Sequence, residues 1–187
     1  MALLAQYRTV PTIEATIHTI IHTLEHPTEH IIDMPNWVNG LVNEIFHHYF
    51  PPEAGWMVLP RRSADNRQSG LIMRVGRWVP DIAPAPSPRP RFEDRVVAIV
   101  TTTEAGYEFD VRPELNRLHA SGVIETGDYW VAVFEGSFVS FFSCHREPWA
   151  EVVTRPLGPP MQMGRNMFHI RDDCLAVEEM IRHMAFR

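Results

Sequence analysis

The chain contains no lysine, and all 17 of its basic residues are arginine. Drift in a GC-rich genome is one explanation, and it also fits the 16 prolines and 10 glycines. Selection against modification of lysine amines, such as ubiquitination, is another, because arginine is not a target of that chemistry. Deliberate removal by engineering is a third explanation, and the sequence leaves all three open.

Cysteine is also scarce, with Cys144 and Cys174 alone in the chain. Two cysteines cannot build a disulfide framework or a complete zinc site, which is typical of a reducing compartment. No apolar stretch approaches the roughly 18–20 residues that a membrane span needs. Residues 1–8 lack the basic start and apolar run of a secretory signal. We therefore expect an intracellular protein, cytoplasmic or nuclear, with no membrane partner.

The bulk composition predicts one globular domain. A chain of 187 residues that is 45% hydrophobic can bury a sizeable core. The formal net charge of −6 argues against a protein that coats nucleic acid through general basicity. A local cluster of arginines can still contact phosphate groups.

Apolar spacing and turn residues predict an α/β order of elements. Helices are expected at residues 12–26, 36–50, 110–121 and 172–185. Asn36 should cap the second helix and Asp110 the third. Strands are expected at 55–61, 71–79, 96–100, 129–134 and 138–143, with an irregular segment over 146–167. The uninterrupted apolar strand 96–100 should be central and, across its crossover helix, parallel to 129–134. The result is a mixed sheet covered by helices.

Three segments then follow a recognisable pattern. They are Pro80-Asp81 after a strand, the apolar run 94–100 followed by Thr101-Thr102-Thr103, and Asp128-Tyr129-Trp130 after a helix that ends in Gly122-Val123. Their order and spacing resemble the PD-(D/E)XK nuclease superfamily over about residues 36–143. The pattern is similar to bacterial restriction-endonuclease-type domains and to nuclease-like domains of fungi. The resemblance implies one domain over 1–187 with a restriction-endonuclease-like core, an N-terminal helical extension (1–35) and a C-terminal extension (144–187).

The resemblance also implies what the site should contain. In that superfamily an aspartate and a glutamate hold Mg²⁺, which activates water, and a lysine helps to orient that water. Asp81 matches the first acid, but Ala98 stands where the second acid is expected and Val100 where the lysine is expected. One matching carboxylate should hold magnesium poorly. The implied function is a catalytically degenerate nuclease-like domain that needs no cofactor and binds a protein or a nucleic acid.

An active enzyme is the alternative. Glu93 lies 12 residues after Asp81, and Glu93-Asp94-Arg95 resembles the second half of the signature with arginine in place of lysine. Asp81 and Glu93 would then hold Mg²⁺ in a phosphodiester hydrolase, with Arg95 beside them and Glu44 as a further candidate acid. Glu44 and Glu93 are equally consistent with solvated surface positions.

A third hypothesis is a histidine-based metal-binding module. His18, His22, His26 and His30 recur every four residues, and histidines at that spacing on a helix can share a zinc ion. Pro27 interrupts the helix, so at most three of them can align. The alternative is a polar helix edge.

The remaining patterns concern partners. Arginines concentrate on the two early strands and just after them, where they form a candidate phosphate-binding patch or a solvated face: Arg61, Arg62, Arg67, Arg74, Arg77, Arg89, Arg91 and Arg95. The apolar strand 138–142 is expected at a sheet edge and the helix 12–26 outside the core, which together predict a protein partner or a homo-oligomer. Cys144 and His145 are strand neighbours that should point to opposite faces, so a cysteine hydrolase is not expected.

Overall fold

The computed structural model describes residues 6–26, 34–62, 69–79, 91–101, 110–124, 127–147, 150–162 and 164–186. Among these residues the protein has four α-helices: α1 (Pro11–Glu25), α2 (Met34–Tyr49), α3 (Val111–Ala120) and α4 (Cys174–Phe186). None of the described helices is both long and apolar enough to cross a bilayer.

Seven strands form one mixed sheet within the described ranges. They are β1 (Met57–Arg62), β2 (Ser69–Val79), β3 (Arg91–Thr101), β4 (Gly127–Glu135), β5 (Phe138–Arg146), β6 (Val153–Pro156) and β7 (Met167–His169). Strands β1 to β6 are neighbours in sequence order, and β7 pairs with β5. Strands β3 and β4 are parallel and every other pair is antiparallel. This confirms the expected mixed sheet, with the apolar strand at residues 96–100 inside it.

The two faces of the sheet are covered differently. On one face, here called the α2 face, helices α1, α2 and α4 bury Val96, Ala98 and Val100 in a large apolar core. On the other, the α3 face, helix α3 covers Val97 and Ile99 in a smaller core. The alternation along β3 follows from the two-residue period of a strand, and burial on both faces explains its uninterrupted apolar sequence.

A hydrogen-bonded tie joins the two ends of the described chain. Tyr7 is fully buried, its hydroxyl donates to the carbonyl of Ile170 at 2.6 Å, and its backbone N–H donates to the Tyr49 hydroxyl at 3.2 Å. Burial raises the pKa of Tyr7 far above its usual value, so the hydroxyl stays protonated and donates. The segment before α1 is thereby fixed to the segment before α4.

Two expectations about the bounds of elements are wrong. Asn36 does not cap α2, because the helix already begins at Met34. The supposedly irregular 146–167 segment includes β6 and the start of β7.

The strand 138–142 is not a sheet edge, because β5 pairs with β4 on one side and with β6 and β7 on the other. The apolar face of α1 is likewise buried within the α2-face core. Both elements on which the self-association prediction depended are therefore covered by the chain itself.

A β-bulge interrupts the pairing of β2 with β3. Val75 pairs with Val96, but Gly76 pairs with Asp94, so Arg95 is an extra residue on β3. Past the bulge the alternation changes phase, which places Glu93 opposite Arg77 on the α2 face and Asp94 on the α3 face. The backbones approach closely there, because a Cβ built on Gly76 would lie 2.1 Å from the carbonyl oxygen of Glu93 and 2.8 Å from the Phe92 ring.

We expect Gly76→Ala to lower the free energy of unfolding by about 2–3 kcal/mol, since the backbone at the bulge must move to admit the methyl group. Gly40→Ala is the matched control: Gly40 is exposed within α2, and a Cβ there meets nothing within 4 Å. Alanine should stabilise that helix by roughly 0.5–1 kcal/mol. Urea denaturation measures both changes, and equal effects would contradict the close approach at Gly76.

Candidate functional site

A cavity of about 440 Å³ opens beside the bulge on the α2 face. Its lining residues come from three elements and from the segment before β1: Trp56, Arg77, Val79, Glu93, Arg95, Ala185 and Phe186. Its size lies within the range of small-molecule sites in proteins. The charged lining residues are two arginines and one glutamate, which favour an anionic ligand.

Neighbouring groups orient the two arginines. The Arg77 guanidinium carbon lies 3.8 Å from the centre of the Trp56 ring, a cation–π contact that orients the side chain. Arg95 donates from Nε to the carbonyl of Met184 at 3.2 Å, close to the C-terminal end of α4. Carbonyls at a helix end carry partial negative charge and favour a cation there. Within the described ranges this hydrogen bond engages Nε and leaves the two Nη groups of Arg95 for a ligand.

Glu93 and Arg95 are brought together, as the active-enzyme alternative requires. Both line the cavity, and Val79, two residues before Asp81, lines it as well. Asp81 itself lies outside the described residues. The sequence therefore identified two neighbours in one cavity, and the bulge is the feature that puts Glu93 on this face.

Ala98 and Val100 occupy a different environment. Both are fully buried in the α2-face core, where Ala98 lies between Met73 of β2 and Ala132 of β4. A carboxylate or an ammonium group placed here would be desolvated among apolar side chains. The positions that match the second acid and the lysine of the signature are therefore core positions.

Glu44 lies on α2 and is not among the lining residues of this cavity. It is half-buried, and its Oε2 is a buried atom with no hydrogen-bond partner in the described part of the protein. Glu44 therefore does not join Glu93 in the lining of this cavity.

Metal-ligand geometry is absent from the described ranges, where no three His, Cys, Asp or Glu side chains come together to hold an ion. His18, His22 and His26 are exposed on α1, and the rings of His22 and His26 lie 4.8 Å apart. His30 lies outside the described residues. Among the described histidines of this series, His22 and His26 form one pair of neighbouring rings.

The arginine patch is divided between the two faces of the sheet. Arg74 points to the α3 face, where Nε and Nη2 donate to the two carboxylate oxygens of Asp94 at 2.7 and 2.8 Å. It also lies over the Phe92 ring at 5.0 Å. Arg74 is therefore a structural residue, and Arg77 and Arg95 carry the positive charge of the cavity.

The Cys144–His145 neighbours are separated, as expected. Cys144 is buried on the α3 face, and burial raises the pKa of its thiol to about 12. His145 is exposed, and its ring nitrogens contact Glu147 and Asp128, which raise the pKa of the imidazole. A thiol that stays protonated and does not face the histidine lacks the activation that a nucleophile needs.

Sequence reasoning missed Trp56 and Phe186 as parts of the site. Trp56 precedes β1 and Phe186 ends α4, so 130 residues of sequence separate two walls of one cavity. No periodicity links them. The available signal for that side of the site was that Arg77 lies in phase with the apolar residues Met73 and Val75 of β2.

No protein-family model matches the chain, and neither a curated protein nor a solved structure matches it. The fold and the cavity define a mixed α/β protein with an arginine-lined site. Its function has to be argued from that site.

Proposed function

We propose that the chain is a catalytically degenerate nuclease-like domain that acts by binding, with the cavity of Trp56, Arg77, Glu93 and Arg95 as its ligand site. One observation carries the proposal: Ala98 and Val100 are fully buried in the apolar core. The signature positions that would complete a magnesium centre have become packing positions. The cationic cavity, which Glu93 and Arg95 line nearer the start of the same strand, remains available to a ligand.

The order of elements supports the nuclease-like part of the proposal. Helix α2 precedes three antiparallel strands, and α3 then connects β3 to the parallel strand β4. Helices α2 and α3 contribute to the cores on opposite faces of the sheet. This arrangement agrees with the restriction-endonuclease-like core that the sequence pattern implies.

The charge of the cavity supports an anionic ligand group. Two arginines against one glutamate leave a local excess of positive charge in a chain whose net charge is −6. A nucleic-acid phosphate and an acidic side chain of a protein both fit this charge. The overall negative charge works against long polyanions and favours a protein partner.

A magnesium-dependent nuclease is the second candidate function. It is favoured by the presence of Glu93 and Arg95 in one cavity, next to the strand end that leads to Asp81. Asp81 and Glu93 would supply carboxylate oxygens to Mg²⁺, which prefers such ligands. Arg95 would neutralise charge on the phosphate.

Cleavage assays separate the two candidates. With Mg²⁺ and single- or double-stranded DNA or RNA, we expect no cleavage above the level of the Asp81→Ala variant. The Glu93→Gln variant should be equally inactive. Magnesium-dependent cleavage that disappears in both variants would refute degeneracy and establish the enzyme.

Binding measurements test the cavity itself. Fluorescence anisotropy with labelled oligonucleotides and acidic peptides should reveal a ligand whose affinity falls about tenfold in Arg77→Ala and in Arg95→Ala, the loss expected for one charged contact. Arg171→Ala is the matched control, because Arg171 is partly exposed and lies before α4, remote from the cavity at its C-terminal end. Equal losses in all three variants would indicate general charge rather than this site.

A further inference from the structure

A second cavity, of about 370 Å³, lies on the α3 face. It opens where β4 ends, beside the N-terminal residues of α3, and extends over β5 and β6. The cavity of Arg77 and Arg95 is on the opposite face of the sheet, so the two sites are separate. Clefts at the carboxyl ends of parallel strands are frequent ligand sites in α/β proteins.

A buried acid lines this cavity. Glu135, the last residue of β4, is 4% exposed, and its Oε1 has no hydrogen-bond partner in the part of the chain that the structure describes. Thr101 of β3 also has a buried hydroxyl without a described partner. It directly follows Val100, which pairs with Phe134 of β4. The corresponding residue of β4 is Glu135, so the two unsatisfied groups lie on adjacent strand ends. A buried carboxyl group without a partner is costly unless something in the cavity satisfies it.

No positive charge in the described lining compensates Glu135. Arg112 is the one cation among the described lining residues, and it makes two side-chain hydrogen bonds to Asp110 at 2.9 and 2.8 Å. That exposed pair lies at the start of α3 and is neutral overall. Burial accordingly raises the pKa of Glu135, because partial removal from water disfavours the charged carboxylate.

The other walls suit a short apolar group. Val133 lies two residues before the acid on β4, and Phe142, Pro156 and Met167 bring apolar side chains to the lining from β5, β6 and β7. Ser140 and Thr154 add hydroxyl groups to the same lining. A few polar groups set in apolar walls are typical of sites for small molecules.

We propose that this cavity binds a small organic cation, with an ammonium or guanidinium head paired to Glu135 and a short hydrocarbon tail against Val133 and Phe142. The head supplies the missing donors and the missing positive charge. The cavity admits a molecule of this size, and no residue of the proposed nuclease-like site takes part.

The test is titration by calorimetry and by NMR with n-butylammonium and n-butylguanidinium, with n-butanol and butyrate as neutral and anionic matches. We expect saturable binding of the cations with a Kd on the order of 10 mM, the range open to so few atoms. n-Butanol should bind about tenfold more weakly, as expected when a charge-assisted hydrogen bond is lost. Equal affinities for n-butylammonium and n-butanol, or no saturable binding of either cation, would overturn the proposal.

Variants locate the binding. Glu135→Gln keeps the size of the side chain and should lower the affinity for both cations about tenfold, because the amide carries no charge. Glu179→Gln, at an exposed position on α4, should leave the affinity unchanged. Unchanged binding in Glu135→Gln would overturn the assignment. If that variant fails to fold, the comparison of n-butylammonium with n-butanol in the unaltered protein still decides.

Discussion

Placing the glutamate and lysine of the nuclease signature at positions 98 and 100 should destabilise the protein rather than produce cleavage. We expect Ala98→Glu, alone or with Val100→Lys, to lower the free energy of unfolding by about 4 kcal/mol or more. Both positions are fully buried among apolar side chains of the α2 face. A charged side chain placed there loses its hydration and finds no polar group or metal ion in that core to replace it. Chemical denaturation measures the loss, which is a large fraction of the stability of an ordinary domain.

Val153→Glu is the control for adding a glutamate to a strand of this sheet. Val153 lies on β6 and is 52% exposed, so its replacement should change the free energy of unfolding by less than about 0.5 kcal/mol. A double variant at Ala98 and Val100 that folds normally and cleaves DNA with Mg²⁺ would show that these positions line a latent metal centre.

Breaking the Arg74–Asp94 pair should have the second large effect. We expect Asp94→Ala to lower the free energy of unfolding by about 3 kcal/mol, because it leaves the Arg74 guanidinium without its two carboxylate acceptors. The side chains are 17% and 3% exposed, so water replaces the lost contacts only in part. The pair also lies beside the bulge, and its loss removes a contact that holds β2 and β3 in this register.

A double-mutant cycle with Arg74→Met measures the interaction between the two side chains. The coupling energy should be at least about 1 kcal/mol, as for residues joined by direct hydrogen bonds. The exposed contact of His145 with Asp128 provides a matched cycle, and there we expect a coupling energy below about 0.5 kcal/mol, because water solvates both groups. Additive effects of Arg74→Met and Asp94→Ala would contradict a structural role for the buried pair.

The helices and the central strands were predictable from sequence because their signals are local. The apolar run at residues 96–100 predicted a strand buried on both faces. Asp110 predicted the start of α3, where its carboxylate accepts a hydrogen bond from the backbone N–H of Arg112. Strands β6 and β7 were missed because each is short and largely polar or exposed. Their pairing depends on β5, and nothing within their own sequences encodes it.

The sites were less predictable than the fold because they depend on which face of a strand a side chain occupies and on residues that are far apart in the sequence. A single extra residue, Arg95, changes the face on which Glu93 lies, and alternation read from sequence carries no sign of such a bulge. Glu135 precedes Gly136, a sequence typical of an exposed turn, yet it is only 4% exposed in the structure. Composition and motif could identify Glu93 and Arg95, but not the walls around them.

The Tyr7–Ile170 bond has a consequence for the order of events during synthesis. A ribosome adds about 5–20 residues per second, so Tyr7 emerges roughly ten to thirty seconds before the carbonyl group to which it is tied. During that interval the apolar stripes of α1 and α2 lack α4, which shares their core. Until α4 has been made, the isoleucine and phenylalanine side chains of α1 and α2 have only one another and the sheet strands as packing partners, and the large core closes when α4 is added.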